Sequence, residues 1–184
     1  MFKSVGGPPF APAGEEAYKY NLSHTINPEA LCLFAGIPRA SISGVPFEII
    51  QNSNRIVFLY ELMWTFRSVP VDGRGHPTDL EPSFFGNGIG KWEGDTLVVD
   101  TVGLNDRTWL DTAGHEHSDQ LHLVEKFQKT DNNNIKWTVT FEDPKFYTEP
   151  WSITLPIARQ NTEIMSYSCE ENEKDRAHLR RTKK

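Results

Sequence analysis

Residues 121–142 read LHLVEKFQKTDNNNIKWTVTFE, and this stretch decides the fold class. Apolar and polar side chains largely alternate on both sides of the polar run DNNN at 131–134. A period of two is typical of β-strands that bury one face, and Asp and Asn favour tight turns. The stretch therefore predicts two antiparallel strands, 121–129 and 135–142, joined by a short turn.

Strand signals continue outward from this hairpin in both directions. Further strands are predicted at 47–51, 55–61, 63–69, 96–101, 151–158 and 163–169, with shorter pieces at 83–85 and 91–92. Strands and helices do not alternate regularly, which argues against a parallel α/β sheet. Eight or nine short strands favour an antiparallel barrel or sandwich. We expect a mainly β, single-domain barrel of the calycin (lipocalin-like) type, with short helices at 15–22 and 170–181.

Length and charge limit the domain organisation and the partners. A chain of 184 residues suits one domain, and we divide it into an extended arm (1–14), a barrel domain (15–173) and a basic tail (174–184). The net charge is −6 although the tail is basic, so the body is strongly acidic and nucleic acid is not an expected partner. No apolar run is long enough to span a membrane, and the N-terminus lacks the apolar core of a secretory signal. A small-molecule ligand or substrate is the expected partner, and a homodimer is compatible with the sequence.

One carboxylate interrupts the apolar face of the first hairpin strand. Glu125 shares that face with leucine and phenylalanine side chains, where an unpaired charge is costly. Arg67 is the natural partner, and Glu61 competes for it. The pair is either a structural ion pair or the polar floor of a ligand pocket, in which Glu125 serves as a proton-transfer group.

The segment 103–119, GLNDRTWLDTAGHEHSD, has the highest density of reactive side chains. His115 and His117 share one face if the backbone is extended, a spacing found in metal sites. A third metal ligand would come from Asp119, His122, Glu125, His76 or His24. Without metal, His115 or His117 acts as acid or base, oriented by Asp106, Asp111 or Asp119. Alternatively, these residues only hold the loop in place by hydrogen bonds.

Several aromatic and basic residues are candidates for contact with a substrate. The alternative is that the aromatic ones simply fill a β core, and that the His76 segment is only a turn. The predicted substrate-binding residues are Tyr60, Glu61, Trp64, Arg67, His76, Arg107 and Trp109.

The two cysteines, Cys32 and Cys169, are far apart in the sequence. On spacing alone, two buried thiols and one long-range disulfide are both compatible with this pattern. No histidine lies next to either cysteine in the sequence, so a thiol nucleophile is unsupported.

A family resemblance rests on several stretches taken together. They are CLFAGIPR (32–39), PFEIIQNSNRIVFLYE (46–61), DGRGHP (72–77), IGKWEGDTLVVDTVGLNDRTWLD (89–111), GHEHSD (114–119), EDPKFYTEPW (142–151) and CEENEKDRAHL (169–179). Over about 30–180 the chain resembles a widespread family of uncharacterised bacterial proteins, abundant in soil organisms and often carrying a signal peptide. The resemblance implies an extracytoplasmic location, periplasmic or secreted, and a Cys32–Cys169 disulfide. The family pattern includes residues matching His76, Asp106, Arg107, Trp109, His115 and His117, but it implies no particular reaction.

These features together predict a small-molecule enzyme that uses metal-independent acid–base chemistry of the lyase, isomerase, cyclase or hydrolase type. The predicted catalytic residues are His115, His117, Asp106 and Glu125, with Arg67 and Arg107 holding an anionic group. No cofactor is favoured; a divalent metal on His115 and His117 is the alternative. A non-catalytic binding or carrier protein with the same pocket is a further alternative.

Overall fold

The computed structural model describes residues 7–168, which form two antiparallel sheets and two short helices. The helices are α1 (Pro12–His24) and α2 (Arg39–Ile42), and single 3-10 turns lie at Pro28–Leu31 and Leu62–Trp64. The strands are β1 (Phe47–Gln51), β2 (Arg55–Tyr60), β3 (Thr65–Pro70), β4 (Asn87–Glu93), β5 (Thr96–Val102), β6 (His122–Lys129), β7 (Asn134–Glu142) and β8 (Trp151–Ala158). The mainly β prediction is confirmed.

The smaller sheet is the meander β1-β2-β3. Its first turn forms as predicted, because the Asn52 side chain accepts a hydrogen bond from the backbone N–H of Asn54 at 3.1 Å. Buried and half-buried residues alternate along β2, so Ile56, Phe58 and Tyr60 all point into the core.

The larger sheet has the order β4-β5-β6-β7-β8. The hairpin predicted from 121–142 is its centre, with Glu125 opposite Val139 and Phe127 opposite Trp137. The turn forms because the Asp131 carboxylate accepts a hydrogen bond from the backbone N–H of Asn133 at 2.7 Å. The outer face of the sheet is polar, as the alternation requires.

The prediction that the strands close into a calycin-like barrel is wrong. Among the described residues, the strands form separate sheets of three and five, and no closed barrel is found. The inner faces pack against each other, with the rings of Phe58 and Phe127 5.3 Å apart and Arg67 reaching Glu125 across the interface. Alternation indicates which face of a strand is buried, but closure depends on pairing between strands distant in the sequence, which alternation does not encode.

Other boundaries differ from the predictions at the two ends of the described chain. α1 begins at Pro12, inside the predicted arm, since proline is favoured in the first helical turn. Residues 163–168 form no strand. Cys169, the predicted helix 170–181 and the basic tail lie outside the described residues. No helix within 7–168 is both long and apolar enough to cross a membrane.

α1 lies over one end of the larger sheet. The backbone N–H of Ala11 donates to the carbonyl of Phe146 at 2.9 Å, and a Cβ added at Gly14 would collide with that same carbonyl oxygen. Tyr18 and Asn21, one and two turns further along, reach residues of the histidine-rich loop. α1 therefore packs over the histidine-rich loop.

Candidate functional site

The histidine-rich loop is folded tightly into the core. Trp109 and Glu116 form an antiparallel bridge, and the backbone N–H of Leu110 donates to the carbonyl of His115 at 2.7 Å. The Asp111 carboxylate accepts a hydrogen bond from the N–H of Ala113 at 2.9 Å and so closes the turn. This hydrogen bond holds the Asp111 side chain in the protein interior.

Asp111 also orients His115. Nδ1 of His115 lies 2.9 Å from both carboxylate oxygens, and His115 is 6% exposed. Burial alone would raise the pKa of Asp111, but the hydrogen bond and charge of His115, together with the backbone N–H donors of the turn, outweigh burial and lower the pKa. Because the ionised carboxylate only accepts, Nδ1 carries the proton, which leaves Nε2 as the nitrogen that can exchange one.

Aromatic rings cover His115. The ring of Tyr18 stacks on the imidazole at 4.6 Å, and the ring of Phe10 lies 5.8 Å from it, also stacked. Phe10 in turn stacks on Tyr18 and on Tyr147. The Asp111–His115 pair therefore lies in a low-polarity setting beneath α1, where electrostatic interactions are strong.

His117 is almost fully buried, with 1% of its surface exposed. Its Nδ1 lies 3.1 Å from the carbonyl oxygen of Ser118, which can only accept, so Nδ1 is the donor. Nε2 is buried and has no hydrogen-bond partner among the described residues. Burial lowers the pKa of His117, despite the opposing effect of the Asp143, Asp106 and Glu116 carboxylates. His117 is thus a neutral imidazole with an unused lone pair in the interior.

A second carboxylate holds the backbone beside His117. Asp143 accepts hydrogen bonds from the Ser118 N–H at 2.6 Å and from the Ser118 hydroxyl at 2.8 Å. The hydroxyl of Tyr147 donates to the carbonyl of Glu116 at 2.7 Å. The backbone on both sides of His117 is therefore held by the segment that follows β7. We call Asp111, His115, His117, Ser118 and Asp143 the histidine cluster.

Arg67 and Glu125 form the ion pair that the sequence predicted. Nη2 of Arg67 lies 2.5 Å from the Glu125 carboxylate, the two side chains are 3% and 0% exposed, and Arg67 also donates to the Thr101 hydroxyl at 2.7 Å. Burial opposes the charge on Arg67, but the Glu125 carboxylate and the Tyr60 hydroxyl together outweigh burial and raise the pKa of Arg67. The absence of a side chain at Gly88 leaves room for the guanidinium, since a Cβ there would lie 3.2 Å from Nη2.

A third polar group lies on the outer face of the larger sheet. His122 bridges two carboxylates, with Nδ1 2.8 Å from Glu142 and Nε2 2.9 Å from Asp100. The other oxygen of Asp100 lies 2.8 Å from Nε2 of His76, whose Nδ1 meets the Asn87 side chain at 2.7 Å. We call these five residues the outer-face network. Sequence reasoning missed Asp100 and Glu142, although both occupy outward positions on strands that flank His122.

Among the remaining predicted site residues, Trp109 and Asp106 belong to the histidine-rich loop, whereas Tyr60 and Glu61 make their contacts elsewhere in the fold. Tyr60 is in the core, and its hydroxyl lies 3.0 Å from that of Ser41. Trp109 is buried, whereas Asp106 and Arg107 are exposed, and the Arg107 guanidinium lies 5.5 Å from the centre of the Phe84 ring. Glu61 accepts a hydrogen bond from the N–H of Met165, and Trp64 is 68% exposed.

The donors proposed for a metal ion do not converge. Among residues 7–168, no three His, Cys, Asp or Glu side chains are arranged to hold a metal ion. Asp119, one suggested ligand, is exposed, while His76 and His122 belong to the outer-face network. Because Cys169 lies outside the described residues, the Cys32–Cys169 disulfide stays a prediction.

Comparisons of the chain with protein-family models, with curated proteins and with solved structures find no match. The resemblance noted in the sequence, and the extracytoplasmic location it implies, therefore stay predictions.

Proposed function

We propose that the chain is an enzyme that converts a small organic molecule by metal-independent acid–base chemistry in the histidine cluster. The observation that carries this proposal is Nε2 of His117, which is buried and has no hydrogen-bond partner among the described residues. A buried polar atom without a partner costs free energy and requires an explanation, and a catalytic role is one such explanation.

The two imidazoles take complementary roles in this proposal. His117 is the general base, because its lowered pKa keeps Nε2 unprotonated at neutral pH. His115 is the second proton-transfer group, and Asp111 is a positioning residue that fixes its tautomer through Nδ1. Elimination, isomerisation, cyclisation and hydrolysis all need this pair of functions.

The proposal gives different roles to the other predicted catalytic groups. Glu125 and Arg67 hold each other between the sheets, which suits a structural pair. Asp106 and Arg107, at the exposed start of the same loop, are available for contact with a substrate at its rim. Access to His115 requires α1 to move, because Tyr18 and Phe10 cover the imidazole.

A generic base reporter tests the proposal without knowledge of the natural substrate. The ring of 5-nitrobenzisoxazole opens when a base removes its acidic carbon-bound proton and the nitrogen–oxygen bond breaks, which releases a coloured phenolate. We expect the full chain to accelerate this reaction over buffer, with the acidic limb of the rate profile below about pH 6.5, the ordinary histidine value. His117→Gln should lower the rate about 100-fold, at the low end for loss of a general base.

His24→Gln is the matched control, because His24 lies on the exposed face of α1. Asp111→Asn should lower the rate less than His117→Gln and change its pH profile, since it acts through His115. Equal rates for His117→Gln, His115→Gln and the unmodified chain would end the proposal. Saturable retention of the reporter without turnover would favour the binding or carrier protein instead.

A further inference from the structure

We propose that a cavity beside the Leu62–Trp64 turn is a binding site for a neutral, flat aromatic molecule. The cavity has a volume of about 460 Å³, within the range of small-molecule sites. Its lining residues are Cys32, Phe34, Met63, Trp64, Ser166, Tyr167 and Ser168. We call it the Trp64 cavity; it shares no residue with the histidine cluster, and this proposal does not depend on the enzymatic one.

Aromatic rings line the Trp64 cavity from three separate segments of the chain. Trp64, Tyr167 and Phe34 are 68%, 45% and 44% exposed, although side chains of this size are ordinarily more buried. Apolar rings that converge on one hollow are typical of ligand sites, whereas scattered exposed rings need no explanation. The three faces can sandwich a planar ligand by stacking.

Backbone strain is concentrated at the same place. Among residues 7–168, the non-glycine residues with positive φ are Cys32, Met63 and Trp64, at 58°, 54° and 50°, and all three line the cavity. The left-handed conformation is unfavourable for any residue that carries a side chain. Met63 and Trp64 are consecutive, the indole of Trp64 is exposed, and a binding role accounts for strain at this turn.

The walls of the cavity are held in place by contacts behind them. Glu61 accepts a hydrogen bond from the N–H of Met165 at 2.8 Å, which ties the wall formed by 166–168 to the Trp64 turn. Phe34 packs edge-on against Phe84, with ring centres 5.5 Å apart, and the Arg107 guanidinium lies on the same Phe84 ring. A preformed site loses less entropy on binding than one that must be ordered first.

The lining defines the chemical class of the ligand. Of the described residues that line the cavity, none carries a charged side chain at neutral pH, and the polar groups are the hydroxyls of Ser166, Ser168 and Tyr167. A charged ligand would lose hydration without gaining an ionic partner from these lining residues. The cavity therefore favours a neutral aromatic molecule with one or two hydrogen-bonding groups.

Fluorescence titration with N-phenyl-1-naphthylamine, a neutral aromatic dye, tests the site. We expect saturable binding of one dye per chain and energy transfer to the dye from tryptophan. Trp64→Ala should weaken binding at least about tenfold, the loss expected when an apolar aromatic contact is removed. Because Trp64 is exposed, this variant should unfold at the same temperature as the unmodified chain.

Trp92→Ala is the matched control, since Trp92 is 46% exposed at the end of β4 and lies outside the cavity. It should bind the dye within about twofold of the unmodified chain. No saturable binding to the unmodified chain, or equal weakening by both substitutions, would overturn the proposal. If His117→Gln loses the base activity but still binds the dye, or if Trp64→Ala loses dye binding but keeps the base activity, the Trp64 cavity is distinct from the proposed catalytic site.

Discussion

At the scale of single residues, the Arg67–Glu125 pair shows how a sequence pattern leads to a verifiable contact. A carboxylate on an apolar strand face must find a cation, and only a few strand positions can supply one. The structure places the pair between the sheets, where both side chains are almost fully buried. Its effect on stability differs from that of a surface pair, because neither charge has access to water.

Glu125→Gln should destabilise the fold by about 3–5 kcal/mol, because it leaves the buried Arg67 charge without its partner. The double variant Arg67→Met, Glu125→Leu should recover a large part of this loss, since apolar replacement removes both charges. Urea unfolding of the single and double variants measures the difference. Glu93→Gln, which breaks the exposed Lys91–Glu93 pair, is the control and should leave stability unchanged. A Glu125→Gln protein as stable as that control would contradict a buried ion pair.

At the scale of elements, the outer-face network joins β5, β6 and β7 through one imidazole. Burial opposes the charge on His122, but its hydrogen bonds to Asp100 and Glu142 outweigh this effect and raise the pKa of His122. Burial also opposes the charge on Asp100, yet hydrogen bonds from His122 and His76 lower its pKa. The charged network therefore stabilises the pairing of the strands only within a window of pH.

His122→Ala should destabilise the fold most between about pH 5 and 6, by no more than about 1 kcal/mol because the partners are partly exposed. The contribution of His122 is complete below its unfolded pKa near 6.5 and is lost as pH rises through the raised folded pKa. Below about pH 4, the ordinary value for an aspartate, the Asp100 contribution fades as that carboxylate becomes protonated. Urea unfolding across pH 4–9 measures the difference between the two proteins. A difference that is constant or grows above pH 7 would contradict the network.

A second prediction at this scale concerns the packing of α1 on the sheet, because a Cβ at Gly14 would collide with the Phe146 carbonyl. Gly14→Ala should loosen α1 from the sheet and expose His115 beneath Tyr18. Modification by diethyl pyrocarbonate, read by mass spectrometry, should become faster at His115 by about tenfold, the ratio that a 1.4 kcal/mol change gives. Gly75→Ala, where a Cβ meets no atom within 4 Å, is the control. Unchanged reactivity of His115 in Gly14→Ala would show that α1 does not cover it.

At the scale of the whole molecule, local patterns predicted the elements but not their assembly. Strands β6 and β7 follow from alternation around the 131–134 turn, and the meander follows from β-favouring runs around 52–54. The prediction of a barrel failed because no pattern within a strand specifies whether β3 pairs with β4, and in the structure these two strands belong to separate sheets.

The candidate site was predictable only in part, for the same reason. Composition points to the loop 103–119, and the sequence leaves Asp106, Asp111 and Asp119 as carboxylates that can orient a histidine. The contact of Ser118 with Asp143, and the cover of Tyr18 over His115, join positions that are far apart in the sequence. Such contacts depend on the packed sheets, so single-sequence reasoning had no signal for them.

The central claim is that the interior holds a neutral His117 whose Nε2 lone pair is unused, beside a His115 whose tautomer Asp111 fixes. Two-bond proton–nitrogen NMR of histidine-labelled protein, followed from pH 5 to 8, tests it most directly. We expect His117 to stay neutral at neutral pH, with the proton on Nδ1 and an unprotonated Nε2, and neutral His115 to carry its proton on Nδ1. A His117 that titrates like an exposed histidine, or that carries its proton on Nε2, would contradict it.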